Sequence, residues 1–232
     1  MAILLTLVIL APPTAAEKTP LVVAALRAGE TTKALALLKD IGTLKENHAE
    51  AAALVKMIRS NRVKKPPEVM EASFLALQGI GSRKVTRKVI ALLKVKPLKK
   101  ARAVRVGICR ALSGSADPTA VETIVKLLRD PDDHVIAAAA EAAGAYRYAK
   151  DSVRKELFKT IMGIYVGTWN MKNTVNPQLK KEKRRAEQKW EIVEQAMEKA
   201  MQLLSNVTQN DPPAWRKWWN KNKKKRWAAL EE

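Results

Sequence analysis

Residues 67–94, PEVMEASFLALQGIGSRKVTRKVIALLK, and residues 101–133, ARAVRVGICRALSGSADPTAVETIVKLLRDPDD, decide the fold, because the second stretch repeats the first at a fixed offset. Leu77-Gln78-Gly79 and Leu112-Ser113-Gly114 close corresponding apolar runs 35 residues apart. Leu92-Leu93 and Leu127-Leu128 close the following runs at the same spacing of 35. A third closing, Ala142-Ala143-Gly144, follows Gly114 by 30. A period of this size marks stacked units, none of which buries its apolar face alone. One period is two short helices and two turns.

Within each run the apolar residues recur at helical spacing. Met70, Phe74 and Leu77 form one stripe, and Val85, Val89 and Leu92 the next. The second copy offers Ala101, Val104, Ile108 and Ala111, then Val121, Ile124 and Leu128; the third offers Ile136, Ala139 and Ala143, then Val153, Leu157, Ile161 and Ile164. Small alanines facing branched residues allow close antiparallel packing. Asp117-Pro118 places a capping oxygen before a proline at a first helical position, and Asp130-Pro131-Asp132-Asp133 ends one unit and caps the next. Thr43 and Glu46 have capping-box spacing, predicting a helix whose stripe is Leu44, His48, Ala51, Val55 and Ile58.

The two quoted stretches resemble bacterial HEAT-like repeats, over Pro67 to about Gly167, with weaker helix pairs from Pro20 to Asn61. The first copy departs from the usual pattern, with Gly81-Ser82 where an Asp-Pro turn is common. The resemblance implies an all-α, right-handed α-solenoid of antiparallel helix pairs, HEAT/armadillo-like, whose extended curved surface binds protein or nucleic acid.

The whole chain is expected to divide into three segments. Residues 1–16 carry an apolar run from Ile3 to Leu10, then Pro12-Pro13 and the small residues Thr14-Ala15-Ala16. This is the layout of a secretory signal peptide, although no Lys or Arg precedes the run, and it predicts a secreted or periplasmic protein. The solenoid is expected over 17–167. Over 168–232 the repeat breaks down: Thr168 to Pro177 reads as an irregular connection, and a long helix follows from about Gln178 to Ser205. Its stripe is Leu179, Ala186, Trp190, Val193, Met197, Ala200 and Leu204, and it is expected to lie across several repeat helices as a lid or cap. No stretch reaches the roughly 20 apolar residues of a membrane span.

The tail, NDPPAWRKWWNKNKKKRW, holds four of the six tryptophans. Asp211 and Pro212 can open a short helix that sets Trp215, Trp218 and Trp219 on one face. The segment Asp211 to Asn222 resembles an Asp-Pro…Trp-Arg-x-Trp-Trp element that follows HEAT-like repeats in exported proteins of some bacteria, planctomycetes in particular. Tryptophans at this spacing favour docking into a hydrophobic groove over stacking on nucleic-acid bases.

Catalysis finds little support. His48 and His134 are the only histidines, one on an apolar stripe and the other at a helix start. Metal-ligand pairs such as H-E-x-x-H or C-x-x-C are absent, as are phosphate-binding glycine loops and the G-x-S-x-G elbow. Asp130, Asp132 and Asp133 lack the glycine and bidentate glutamate of a calcium loop. No cofactor and no metal are expected. The single Cys109, on an apolar-patterned helix, reads as a small buried residue.

Charge is the more informative property. The chain has 43 Lys and Arg against 23 Asp and Glu, a formal net charge of +20. Between Arg83 and Arg110 stand eleven basic residues and no acidic one. A solvated helix face normally mixes signs, because like charges at i,i+4 cost ~0.2–0.5 kcal/mol. Lys180 to Arg185 and Arg216 to Arg226 form two more clusters, the first opposing its own helix dipole. Solubility alone is the competing explanation. Arg83, Lys84, Arg87, Lys88, Lys99, Lys100, Arg102 and Arg105 are the candidate partner-binding surface. Trp215, Trp218, Trp219, Lys223, Lys224, Lys225, Arg226 and Trp227 are candidate tail contacts. The function expected is a non-catalytic scaffold for an acidic protein or polyanion. Nucleic acid is the alternative, since the repeats also resemble HEAT-like DNA-repair proteins. In the glycosylase branch of those proteins a buried carboxylate meets aromatic residues in the groove, and no acidic residue here is assignable to that role.

Overall fold

The computed structural model describes residues 18–60, 65–175 and 178–227; the expected signal segment lies outside them. Among the described residues there are twelve α-helices and no strand. They are α1 Lys18–Arg27, α2 Thr31–Gly42, α3 His48–Arg59, α4 Pro67–Ile80, α5 Arg83–Ala91, α6 Lys96–Lys100, α7 Arg102–Ser113, α8 Val121–Leu127, α9 Asp133–Gly144, α10 Asp151–Thr174, α11 Lys180–Ser205 and α12 Pro212–Asn222.

The helices form two layers of an α-solenoid. Layer A stacks α2, α4, α7, α9 and α11 side by side. Layer B runs through α1, α3, α5, α8, α10 and α12, with the 3₁₀ turn Pro118–Ala120 carrying the contact from α5 to the next unit. One continuous core fills the space between the layers, from Val22 and Leu38 through Phe74, Ile108 and Ala139 to Met197 and Trp215.

Glycine explains how closely layer A packs. A Cβ on Gly79 would lie 2.2 Å from the Gly42 carbonyl oxygen, and one on Gly114 would lie 2.1 Å from that of Gln78. The C-terminal ends of α2, α4 and α7 therefore meet backbone to backbone, and Gln78 Nε2 donates to Ser113 Oγ at 2.9 Å across the second of these contacts. Further along, α9 is sandwiched between α7 and α11, and Ala138, Ala139, Ala140, Ala142 and Ala143 are all buried.

The 35-residue period extends further toward the N-terminus than the apolar pattern indicates. Glu46, Gly81 and Ala116 share a left-handed backbone, with φ of 56, 40 and 43°. Each precedes a cap: Asn47, Ser82 and Asp117 accept side-chain hydrogen bonds from Glu50 N, Val85 N and Thr119 N. The three A-to-B turns are thus one motif built from different residues. The expected Thr43–Glu46 capping box does not form. Thr43 follows the last residue of α2 and donates its hydroxyl to Asp40 O, while Asn47 opens α3. His48 is consequently the first residue of α3, with Nδ1 3.2 Å from Ser82 Oγ in the next unit.

Three other expectations are corrected. Thr168 to Thr174 is helix, the end of α10, because Tyr165 and Thr168 are buried and Tyr165 packs on Trp190 of α11 with ring centroids 5.0 Å apart. Tertiary burial overrides the breaker signals there. The expected boundary at Gly167 accordingly falls inside α10. Second, α11 packs along α9 and α10 as the next layer A helix instead of crossing the stack, and α12 packs on α10 as the next layer B element. Third, Ala101 is exposed at the N-cap of α7 and Leu179 is half exposed before α11, so neither belongs to the buried stripe assigned to it.

Candidate interaction surface

Layer A helices run parallel, so the stack has two edges. At one edge lie their C-termini, marked by the glycine contacts; at the other lie their N-termini. Arg102 at the start of α7 pairs with Asp132, the cap of α9, at 2.6 Å, and Lys189 of α11 pairs with Asp133 at 3.2 Å. Lys189 is nine residues into α11, so residues 180–188 project past the start of α9 by roughly 13 Å at 1.5 Å per residue.

These edges sort the three basic clusters. The first begins at the C-terminal edge with Arg83 and Lys84, descends the exposed face of α5 through Arg87 and Lys88, and reaches the N-terminal edge with Lys94, Lys96, Lys99 and Lys100. The second, residues 180–185, overhangs that same N-terminal edge. The third lies opposite: Trp227 N donates to Asp151 Oδ2 at the start of α10, and Arg154 of the same turn donates from Nε to Leu204 O at the C-terminal end of α11. The lysine end of the first cluster therefore shares an edge with the second, whereas the tail shares the other edge with Arg83 and Lys84.

Not all of the predicted surface is free. Four arginines of the block lacking acidic residues find carboxylates on neighbouring helices: Arg83 with Asp117, Arg102 with Asp132, Arg105 with Asp130 and Arg110 with Glu71. Arg105 is the most committed, 13% exposed, with Nη1 donating to both Lys99 O and Lys100 O at 2.9 Å and Nη2 to Asp130 Oδ1 at 3.2 Å. Its Nε sits 2.9 Å from Asp130 Oδ2 but makes no well-directed hydrogen bond, so that contact is ionic. Arg105 and Arg102 are ties between repeats rather than open contacts. Among the described residues, Lys84, Arg87, Lys88, Lys94, Lys96, Lys99 and Lys100 form no ion pair and are exposed.

The aspartate-rich turn is satisfied by these ties. Partial burial opposes ionisation of Asp132, but the hydrogen bond and charge of Arg102, with the backbone N–H and charge of His134, outweigh it and hold its carboxyl below the ordinary range. Among the described residues no group of three or more His, Cys, Asp or Glu is arranged to hold a metal ion, and no helix is long and apolar enough to cross a membrane.

A groove of about 960 Å³ opens between the arm formed by the end of α5 and α6 on one side and α8 on the other. Ile90, Leu93, Pro97 and Leu127 supply apolar walls and floor, and Lys94, Lys96, Lys99, Lys100 and Lys126 surround it. Two carboxylates reach it, Glu122 and the Asp130 already paired with Arg105. The groove exists because α6 lines it: nine positions separate Leu93 from Arg102, room for this short helix, whereas five separate Leu128 from Asp133. Sequence reasoning found Lys99 and Lys100 but missed the apolar floor. The unequal spacing between units was the available signal.

The Trp-rich tail is folded against α10. Phe158 sits at its centre, with ring centroids of Trp215, Trp218, Trp219 and Trp227 at 5.6, 5.3, 5.4 and 5.4 Å. Trp215 and Trp227 are buried, and Trp227 is further covered by the cations of Arg154 and Lys155 at 5.4 and 5.6 Å from its ring. These two residues, expected as tail contacts, are occupied inside the molecule. Lys223, Lys224, Lys225 and Arg226 remain exposed.

No curated protein matches the chain. Residues 98–157, from the end of α6 into α10, match the family model for HEAT repeats, and this segment lies within the all-α solenoid.

Proposed function

We propose that the protein is a non-catalytic scaffold that uses the basic face of α5 and α6 to hold an acidic partner protein, and that it works outside the cytoplasm. HEAT repeats are in general interaction elements, and this chain carries a lysine-rich arm, the end of α5 with α6, between two of its units. The observation that carries the reading is the set of exposed lysines, Lys94, Lys96, Lys99 and Lys100, none of which pairs with a carboxylate among the described residues. Like charges so close cost stability unless something of opposite sign offsets them. The extracellular setting rests on the apolar run and small residues of 1–16.

The test uses the full chain and a Lys94→Glu, Lys96→Glu, Lys99→Glu, Lys100→Glu variant, which spares Arg102 and Arg105. Binding of labelled polyglutamate, heparin and a duplex oligonucleotide is followed by anisotropy between about 50 and about 200 mM salt. Salt-sensitive binding of polyglutamate that the variant loses, with helicity unchanged, supports the proposal. Equal binding by both proteins reduces the lysines to a solvated face. A clear preference for the duplex moves the function to nucleic acid.

A further inference from the structure

We infer that the groove between α6 and α8 is a docking site for a short acidic segment of a partner protein, which seats one large apolar side chain on Leu93, Pro97 and Leu127. This rests on the reading of the α5–α6 face as a surface for an acidic partner, and adds where and how that partner is recognised.

Three features argue for it. First, the groove combines two chemistries that a purely electrostatic track does not need. Its floor is apolar, Ile90, Leu93, Pro97 and Leu127, and its rim carries five lysines against the one unpaired carboxylate of Glu122. A sulfated polymer or a phosphate backbone gains nothing from Leu93, whereas a peptide with a hydrophobic anchor among carboxylates uses both. At about 960 Å³ the space is at the upper end of the range for small-molecule pockets, large enough for a side chain and its flanking backbone.

Second, the arm is held in place before any partner arrives. Arg105 donates to the carbonyls of Lys99 and Lys100, the last two residues of α6, while its guanidinium is paired with Asp130. Leu98 packs against the core from within α6. A wall fixed at both points loses little freedom on binding. The lysine side chains on that wall point to solvent and are available.

Third, the arm is not a feature of every junction. At the next junction the link from α8 to α9 is the tight Asp130-Pro131-Asp132 turn, which leaves no arm. The space between α6 and α8 thus depends on the longer link that precedes α7.

The experiment is selection of random dodecapeptides displayed on phage against the intact chain, followed by anisotropy titration of the enriched peptides. The expected consensus is one large apolar residue flanked by several Asp or Glu. Replacing that residue by Ala, or making Pro97→Glu in the protein, is expected to weaken binding about tenfold or more. Pro97 is exposed, and an unchanged circular dichroism spectrum shows that the variant folds; Leu93→Ser provides a second perturbation of the floor. Enrichment of acidic peptides with no apolar anchor, insensitive to Pro97→Glu, overturns the groove while leaving the acidic-partner reading intact. Absence of any acidic consensus overturns both. Dodecanoate and a duplex oligonucleotide are titrated in parallel: tighter binding of either, blocked by Pro97→Glu, assigns the groove to that ligand instead.

Discussion

Arg105 of α7 and Asp130 of the α8–α9 turn meet across a seam between repeats, with Nε 2.9 Å from Oδ2 and side chains only 13% and 10% exposed. The same guanidinium caps the end of α6, so one residue joins the seam to the groove wall. Removing one partner of a nearly buried pair strands the other charge. Arg105→Ala is expected to cost about 3 kcal/mol, and Arg102→Ala under about 1 kcal/mol despite its shorter 2.6 Å contact, because Arg102 is 61% exposed. Urea unfolding of the two variants measures the difference; equal losses would contradict the assignment of Arg105 as the seam residue.

Backbone contact between helix ends sets the sign of a second pair of changes. In an exposed helix Gly→Ala stabilises, but a Cβ on Gly79 or Gly114 meets a carbonyl oxygen at 2.2 or 2.1 Å. Gly79→Ala and Gly114→Ala should therefore destabilise by about 1–3 kcal/mol. Ala116→Gly, which relieves a left-handed φ of 43°, should stabilise by about 0.5–1 kcal/mol. Thermal melting of the three variants reads both signs.

Asp132 gives the fold an acid-sensitive tie. Its folded carboxyl titrates below the ordinary value because the Arg102 hydrogen bond and charge, helped by His134, overcome the opposing effect of burial. The stability it contributes is complete above the unfolded value near ~3.9 and is lost as the pH falls through the lower folded value. Melting temperature against pH at constant ionic strength should fall more steeply below about pH 4 for the native chain than for Asp132→Asn. Parallel curves would remove Asp132 from the acid response.

Cys109 is fully buried, and burial, followed by the charge of Asp130, pushes its thiol up to about 12. The thiolate is thus scarce at neutral pH and the sulfur has no access to reagent. Modification by an aromatic disulfide should proceed at the rate of global unfolding and accelerate with urea. Rapid labelling of the folded chain would show that α7 opens locally.

Phe158 organises four tryptophans, so the tail is a packing element. Phe158→Ala should lower stability by about 3–5 kcal/mol and shift tryptophan emission to the red with greater acrylamide quenching. Substituting Lys223, Lys224, Lys225 and Arg226 with serine should leave emission and quenching unchanged. The opposite pattern would mean that the cations, and not the ring cluster, hold the tail.

The amino-acid sequence by itself determined the repeat, its helices and its caps, because apolar spacing and capping oxygens act over a few residues. Asp117, Asp132 and Asp211 cap where their positions before a helix require. It also showed that positive charge is concentrated. Only the tertiary structure decided which of those charges are free. Arg83, Arg102, Arg105 and Arg110 find partners 34, 30, 25 and 39 positions away, at distances that close only once the repeats stack. Stacking likewise turned the supposed connection after Gly167 into helix, by burying Tyr165 and Thr168 against α11, and placed α11 and α12 in the layers. The groove follows the same logic: four of its five lysines fall within residues 94–100, but its floor joins Leu93 and Pro97 to Leu127, and that union is a property of packing between units.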